Sequence, residues 1–152
     1  MVAVSRILAD KGSQVHAIAA GASVLEAAEL MNTHKIGALV VTEGGPAGDA
    51  ATGVVGIVTE RDVLRRVVAR RRDPAETRVR EIMTREVICC QVDTPLDDAR
   101  NLFMQKKIRH LPVLDAQGTL AGLISIGDIN AHELDGTQLE IQYLHEYLMG
   151  RG

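Results

Sequence analysis

Thr59 is followed three residues later by Asp62, and Ser125 by Asp128. A hydroxyl and a carboxylate at that spacing sit on the first turn of a helix. There the hydroxyl caps a backbone amide and the acid lies at the positive end of the dipole. The same pair can grip a ligand: the carboxylate accepts from ribose hydroxyls, and the hydroxyl and first-turn amides take a phosphate. Taken singly, each copy reads as a cap. Their duplication shifts the reading, because both follow a glycine and an apolar strand end, Gly56-Ile57-Val58 and Gly122-Leu123-Ile124. Gly127 removes a side chain beside the second helix start, so a ligand could approach the backbone. A second ingredient is Arg109-His110, just ahead of Leu111-Pro112-Val113. Arginine suits bidentate phosphate contact, and histidine adds a donor whose charge changes near neutral pH. The matching stretch Ile36-Gly37-Ala38-Leu39 lacks that pair, so the two sites should bind unequally.

The elements that position these residues are themselves repeated. Ala27, Leu30, Lys35, Ile36, Leu39 and Val41 recur as Ala99, Leu102, Lys107, Ile108, Leu111 and Val113, and a tandem repeat must be read before any other fold feature. Each half opens with a short lead-in turn, Val4 to Leu8 and Val79 to Met83, with apolar residues at i, i+3 and i+4. A strand follows (Val15 to Ala19; Val87 to Val92), then an amphipathic helix. Ser23 is the expected N-cap of the first such helix, and Pro95 the first helical position of the second. Two strands come next, Ala38–Val41 with Val54–Val58 and Leu111–Leu114 with Leu120–Ile124. Their connection is a compact turn at Asp115-Ala116-Gln117-Gly118 and a long Gly- and Ala-rich hairpin over Thr42–Thr52, expected to be mobile at its tip. Helices starting at Thr59 and Ser125 close the halves. The fold class is α+β: two β-α-β-β-α units, neither able to bury its sheet alone, packed into one core. The expected boundaries are repeat 1 at 1–72, a linker at 73–78, repeat 2 at 79–135, and an amphipathic helix at 136–149 that serves docking or dimerisation.

With 152 residues, 46% apolar, the chain can bury a core. Aromatics are only 2% and the net charge is −3, which argues against stacking platforms for single-stranded nucleic acid and against an anionic membrane. No apolar run is long enough to span a bilayer and no leader pattern opens the chain, so a soluble, cytoplasmic protein is expected. Cys89 and Cys90 are adjacent, which is no C-x-x-C motif; they read as small residues on opposite faces of a buried strand. The basic run Arg65, Arg66, Arg70, Arg71, Arg72 reads first as a solvated helix end, and otherwise as an attractor of an acidic partner or nucleic acid. His34 and His132 read as surface positions. No phosphate loop, metal cluster or nucleophile–base pair stands out, so no enzyme is expected.

These residues resemble the tandem cystathionine-β-synthase-type (CBS) pair, or Bateman module, over about residues 2 to 132, and in particular its small stand-alone bacterial members. The resemblance implies two β-α-β-β-α units packed through their sheets in pseudo-two-fold symmetry, often paired again into a homodimer. It implies an adenosine-containing ligand (AMP, ADP, ATP, NAD or S-adenosylmethionine) and no catalytic cofactor. By resemblance Asp62 and Asp128 take ribose hydroxyls, with Thr59 and Ser125 near the phosphate or ribose. Adenine would lie against His16, Ala17 and Ile18, or Ile88, Cys89 and Cys90, under Ile36 or Ile108. A nucleotide held by Thr59 and Asp62 would point its phosphate at Arg109 and His110, beside Pro112, with Arg61 able to help. The Ser125, Gly127 and Asp128 site would face Lys35 to Ala38, including Gly37. The implied role is a regulatory sensor that transmits ligand state through conformation or dimerisation, to a separate effector protein or by the dimer change itself. The alternative is a ligand-independent interaction or dimerisation module in which both aspartates are caps only.

Overall fold

The structure, a computed structural model, describes residues 2–12, 15–43 and 53–134, together with Leu144 and Leu148. The N-terminal segment forms α1 (Val4–Lys11), and a glycine with positive φ, Gly12, ends it. Then come β1 (Ala17–Ala19), α2 (Val24–His34), β2 (Ala38–Thr42), β3 (Val54–Thr59) and α3 (Glu60–Val63), which runs on into a π-helical turn, Leu64–Val68. The second half repeats the order: α4 (Val79–Ile82), β4 (Cys90–Gln91), α5 (Leu96–Lys106), β5 (His110–Leu114), β6 (Leu120–Ser125) and a last helix, α6, over 126–134. Ser23 caps α2 with a full capping box, its hydroxyl accepting from the Glu26 amide at 3.1 Å. Pro95 is the N-cap of α5 rather than its first residue, one position from the expectation. The expected helix 136–149 and the hairpin tip at 44–52 lie outside the described residues.

Two three-stranded sheets result, ordered β1-β2-β3 and β4-β5-β6, each with one parallel and one antiparallel pair. The repeat is visible in the register. Ala38 pairs with Thr59 and His110 with Ser125, and both antiparallel ladders carry an irregularity at the same place, Val41/Thr42 and Val113/Leu114. One difference has a local cause. In the first sheet the Val40 amide donates to the His16 carbonyl. Pro112 stands at the equivalent position and has no N–H to give. The expected strand Val87–Val92 is therefore paired only over Cys90–Gln91.

All of β2 is buried, although only Leu39 and Val41 join the core of their own repeat. Val40 and Ala38 lie on the opposite face, so that face is covered by the other half. The same packing makes Val54, Cys89, Pro112 and Leu114 walls of one cavity. Cys90 points the other way, into the second core. The two cysteines thus face opposite sides, as expected. Burial raises both thiols, Cys90 to about 11, which keeps them protonated and unreactive near neutral pH.

The lead-in helices cross over. Val4, Ile7 and Leu8 of α1 belong to the core of the second repeat, with Cys90, Leu96, Phe103, Leu111 and Ile124. Val79, Ile82 and Met83 belong to the core of the first, with Ile18, Leu39, Val58 and Val67. Backbone bonds fix the exchange: Val4 N donates to Thr94 O at 2.8 Å, and Val79 N to Ala22 O at 2.9 Å. Part of the basic run is spent here. The Arg66 guanidinium donates to the Ile82 carbonyl at 2.9 Å, closing the end of α4, and Arg72 pairs with Glu81 at 2.6 Å.

The crossed helices need glycines in the strands they touch. A Cβ on Gly56 would lie 2.8 Å from both the Met83 sulfur and the Thr84 carbonyl oxygen. A Cβ on Gly122 would lie 2.5 Å from a terminal methyl of Leu8. A methyl can swing aside and a backbone carbonyl cannot. Gly56→Ala is therefore expected to cost about 2 kcal/mol, and Gly122→Ala about 1 kcal/mol or less, in urea unfolding. Equal costs would contradict the packing.

Candidate functional site

Each Thr/Ser-x-x-Asp phrase is a complete capping box. Asp62 N donates to the Thr59 hydroxyl at 3.2 Å, and Thr59 N donates to the Asp62 carboxylate at 3.0 Å. Asp128 N donates to the Ser125 hydroxyl at 3.1 Å, and Ser125 N to the Asp128 carboxylate at 2.8 Å. Two further bonds tie the helix starts to the residues before the central strands: Glu60 N to Gly37 O and Ile126 N to Arg109 O, each 3.0 Å. The first-turn amides of Glu60 and Asp62 are thus already taken. This narrows the expectation of open amides for a phosphate to the Arg61 and Gly127 positions.

The two halves meet at these helix starts. Thr59, Glu60, Arg61 and Asp62 line one cavity of about 180 Å³ with Lys107, Ile108, Arg109 and His110 of the other repeat, and with Ile57 and Thr84. The local fold explains the convergence. Lys107 ends α5 in the left-handed region, at φ 55°, and turns the chain so that Ile108 to His110 lead straight into β5. The result is two carboxylates, a hydroxyl and the Arg61 guanidinium on one wall, three cationic or proton-binding side chains on the other, and two isoleucines in the lining. Lys107 and Thr84 were not singled out from the sequence. Lys107 was visible as the repeat partner of Lys35; Thr84 follows only from the crossed helix, which carries it to an isolated bridge with Ile57.

The other expected site residues are placed differently. Ile18 and Cys90 are turned into the cores of their own repeats, and Ile88 packs against the second core. Ala17 lies in β1. His16 stacks on His34, ring centroids 3.8 Å apart. Burial, then the charge of His34, lowers the His16 pKa. Neither the first-strand residues His16, Ala17 and Ile18 nor Ile88, Cys89 and Cys90 line the cavity at Thr59. Ile36 and Gly37 instead border a separate shallow hollow with Lys35 and Glu60, and Ala38 is buried in β2. Asp128 borders a hollow with Ile7, Asp10, Lys11, Ala131 and His132. His132, expected on the surface, is half-buried there.

His110 stands between the two helix starts. Burial lowers its pKa most, Lys11 pushes it further down, and Glu60 and Asp128 pull it back up, with Arg109 a smaller push down. Asp128 shows the opposite balance. Burial raises it, but the Lys11 ammonium and the Ser125 amide together hold it below the ordinary carboxylate range. Among the described residues no group of three or more His, Cys, Asp or Glu side chains is placed to hold a metal ion, and no helix is long and apolar enough to cross a membrane.

A duplicated α+β unit with crossed lead-in helices and a cleft shared between the repeats is the architecture of a CBS-domain pair, and the chain belongs to the CBS domain family, whose model matches residues 11–69 and 79–134. It is similar to the CBS domain-containing protein CBSX3, mitochondrial, of Arabidopsis thaliana, 35% identical over 130 residues, which are 84% of this chain and 61% of that protein. The CBS domain-containing protein YhcV of Bacillus subtilis is 34% identical over 122 residues, 80% of this chain and 81% of its own. A crystal structure of the CBS-domain containing protein ATU1752 from Agrobacterium tumefaciens superposes with a TM-score of 0.77 at 35% identity, covering 87% of this chain and 99% of that one. CBS-domain pairs are regulatory modules, and this chain has that architecture throughout its two matched segments.

Proposed function

We propose that the chain is a regulatory sensor of adenine nucleotides, holding AMP, ADP, ATP or NAD in the cleft at Thr59 and Asp62. The observation that carries this reading is the shared lining: Thr59–Asp62 and Lys107–His110, far apart in sequence and in different repeats, face one cavity. Asp62 and Thr59 would take the ribose, Arg109, His110 and Lys107 the phosphates, and Ile57 and Ile108 the apolar base. A ligand bridging both repeats favours the arrangement in which they fit it, by its differential affinity. That linkage is how the module would signal to a homodimer partner or a separate effector.

A thermal-shift panel of AMP, ADP, ATP, NAD and S-adenosylmethionine on dialysed protein tests the reading. A ligand at one hundred times its Kd adds about 2.7 kcal/mol, so a selective rise in Tm is the expected result. No rise with any of them would favour the second reading, an interaction module. That reading draws support from Leu64 and Val68, which stand 61% and 62% exposed on the helix after Asp62.

His110 makes the binding pH-dependent. In the free protein its pKa is lowered, and a phosphate beside it favours the imidazolium. Between the free and bound values the complex holds more protons than the free protein, so affinity rises as pH falls. Affinity for AMP is expected to tighten about two- to fivefold between pH 8 and pH 6, an order-of-magnitude expectation for one partly coupled histidine. His110→Ala should lack that component, so the wild-type slope should exceed the variant's by this factor. The titration of the nucleotide phosphate is common to both proteins and cancels in the comparison. An unchanged slope in the variant would remove His110 from the phosphate.

A further inference from the structure

We infer that Lys11 keeps the second cleft closed to nucleotide, so that the chain accepts ligand at Asp62 alone unless the Lys11–Asp128 pair is broken. The inference rests on the nucleotide reading of the Thr/Ser-x-x-Asp pairs. Its basis is a break in the pseudo-symmetry. The lead-in helices α1 and α4 occupy equivalent places, each against the strand glycine of the other repeat, Leu8 on Gly122 and Met83 on Gly56. They end differently. α4 stops at Ile82 and Met83 is extended, so the chain leaves through Thr84 and the Ile57 side of the cleft stays open. α1 runs on to Lys11. Its ammonium donates to the Leu123 carbonyl at 2.8 Å and to the Asp128 carboxylate at 2.7 Å. Leu123 pairs with Pro112 as Ile57 pairs with Val40, so Lys11 reaches the second-half counterpart of the Ile57 wall.

Asp128 is therefore engaged before any ligand arrives. The same oxygen that accepts from the Ser125 amide also accepts from Lys11. A ribose hydroxyl, a neutral donor, would have to compete at this carboxylate with a charge-assisted bond from an ammonium that already holds Oδ2. Asp62 has no such occupant: its nearest cation among the described residues is Arg66, whose Nε lies 4.0 Å away. Lys11 is also poorly placed to serve as a phosphate clamp, since it spends two donors on the strand end and the carboxylate. The difference in length between two otherwise matched helices thus sets what the two matched carboxylates meet: Lys11 at Asp128, and a cleft shared with the other repeat at Asp62.

Titration calorimetry with AMP, ADP, ATP and NAD on four chains tests this: wild type, Asp62→Asn, Lys11→Ala, and the double variant. Lys11→Arg, which keeps a cation at the same place, is the control and should match wild type. One tight site is expected in wild type, none of that affinity in Asp62→Asn, two in Lys11→Ala, and one in the double variant. If wild type binds one ligand through Asp62 and the double variant binds none, the Lys11 gate is overturned and the Asp62 cleft stands. Two sites in wild type overturn the gate as well. If wild type is silent but Lys11→Ala binds one ligand, the gate stands and the Asp62 assignment falls. Silence in all four chains overturns both.

Discussion

Replacing Asp62 with asparagine is expected to weaken nucleotide binding roughly 10- to 100-fold while hardly moving the stability of the free protein. The two effects separate because Asp62 does two jobs. As the third residue of the helix it accepts from the Thr59 amide at 3.0 Å and the Thr59 hydroxyl at 3.2 Å. An asparagine carbonyl oxygen can keep accepting there, and Thr59 remains the N-cap, so the loss should stay below about 1 kcal/mol. A ribose hydroxyl on the carboxylate is a bond to a charged group, worth about 1.5–3 kcal/mol, and each 1.4 kcal/mol is tenfold in affinity. Calorimetric titration and thermal melting of the same variant read the two quantities separately. A variant that binds as tightly as wild type would reduce Asp62 to a helix cap.

Ile82→Ala should be the most destabilising of the changes considered, by about 3 kcal/mol. For a chain of this size that is a fall in Tm of about 6–12 °C. Ile82 is wholly buried and sits on a helix of only four residues, which has no stability of its own. What it loses is its place in the core of the first repeat, across the sequence boundary between the halves. Because α1 makes the reciprocal contact with the second core, neither half can lose its sheet packing alone. Urea unfolding followed by circular dichroism and by a thiol probe at buried Cys90 should give one coincident transition in wild type and in the variant. A cost under about 1 kcal/mol, or two separate transitions, would show that the crossed helices do not join the repeats.

Much of this architecture was legible because its signals are local or duplicated. The strand order, the N-cap at Ser23, the capping boxes at Thr59 and Ser125, and the Asp115 turn follow from residue types at fixed spacing. The Asp115 carboxylate accepts from the Gln117 and Thr119 amides, each at 2.9 Å, as such a turn requires. The convergence of Thr59 and Asp62 with Arg109 and His110 came through the family resemblance, not through spacing. What escaped is non-local. Periodicity says that Val4, Ile7 and Leu8 form an apolar face but not which core receives it, so the crossover was invisible, and with it Thr84 and Lys11 beside the clefts. The resemblance implies adenine against the first strands; alternation alone cannot say which residues of a strand buried on both sides face its own core, as Ile18 and Cys90 do. The stacking of His16 on His34 depends on the end of α2 lying beside β1, which no short pattern encodes.

Amide hydrogen exchange with and without AMP asks whether one ligand bridges both repeats at the Thr59 cleft. Slowed exchange is expected in two separate segments at once, 59–62 and 107–110, with little change at 125–128, where Lys11 holds Asp128. Protection confined to one repeat, or centred on 125–128, would contradict it.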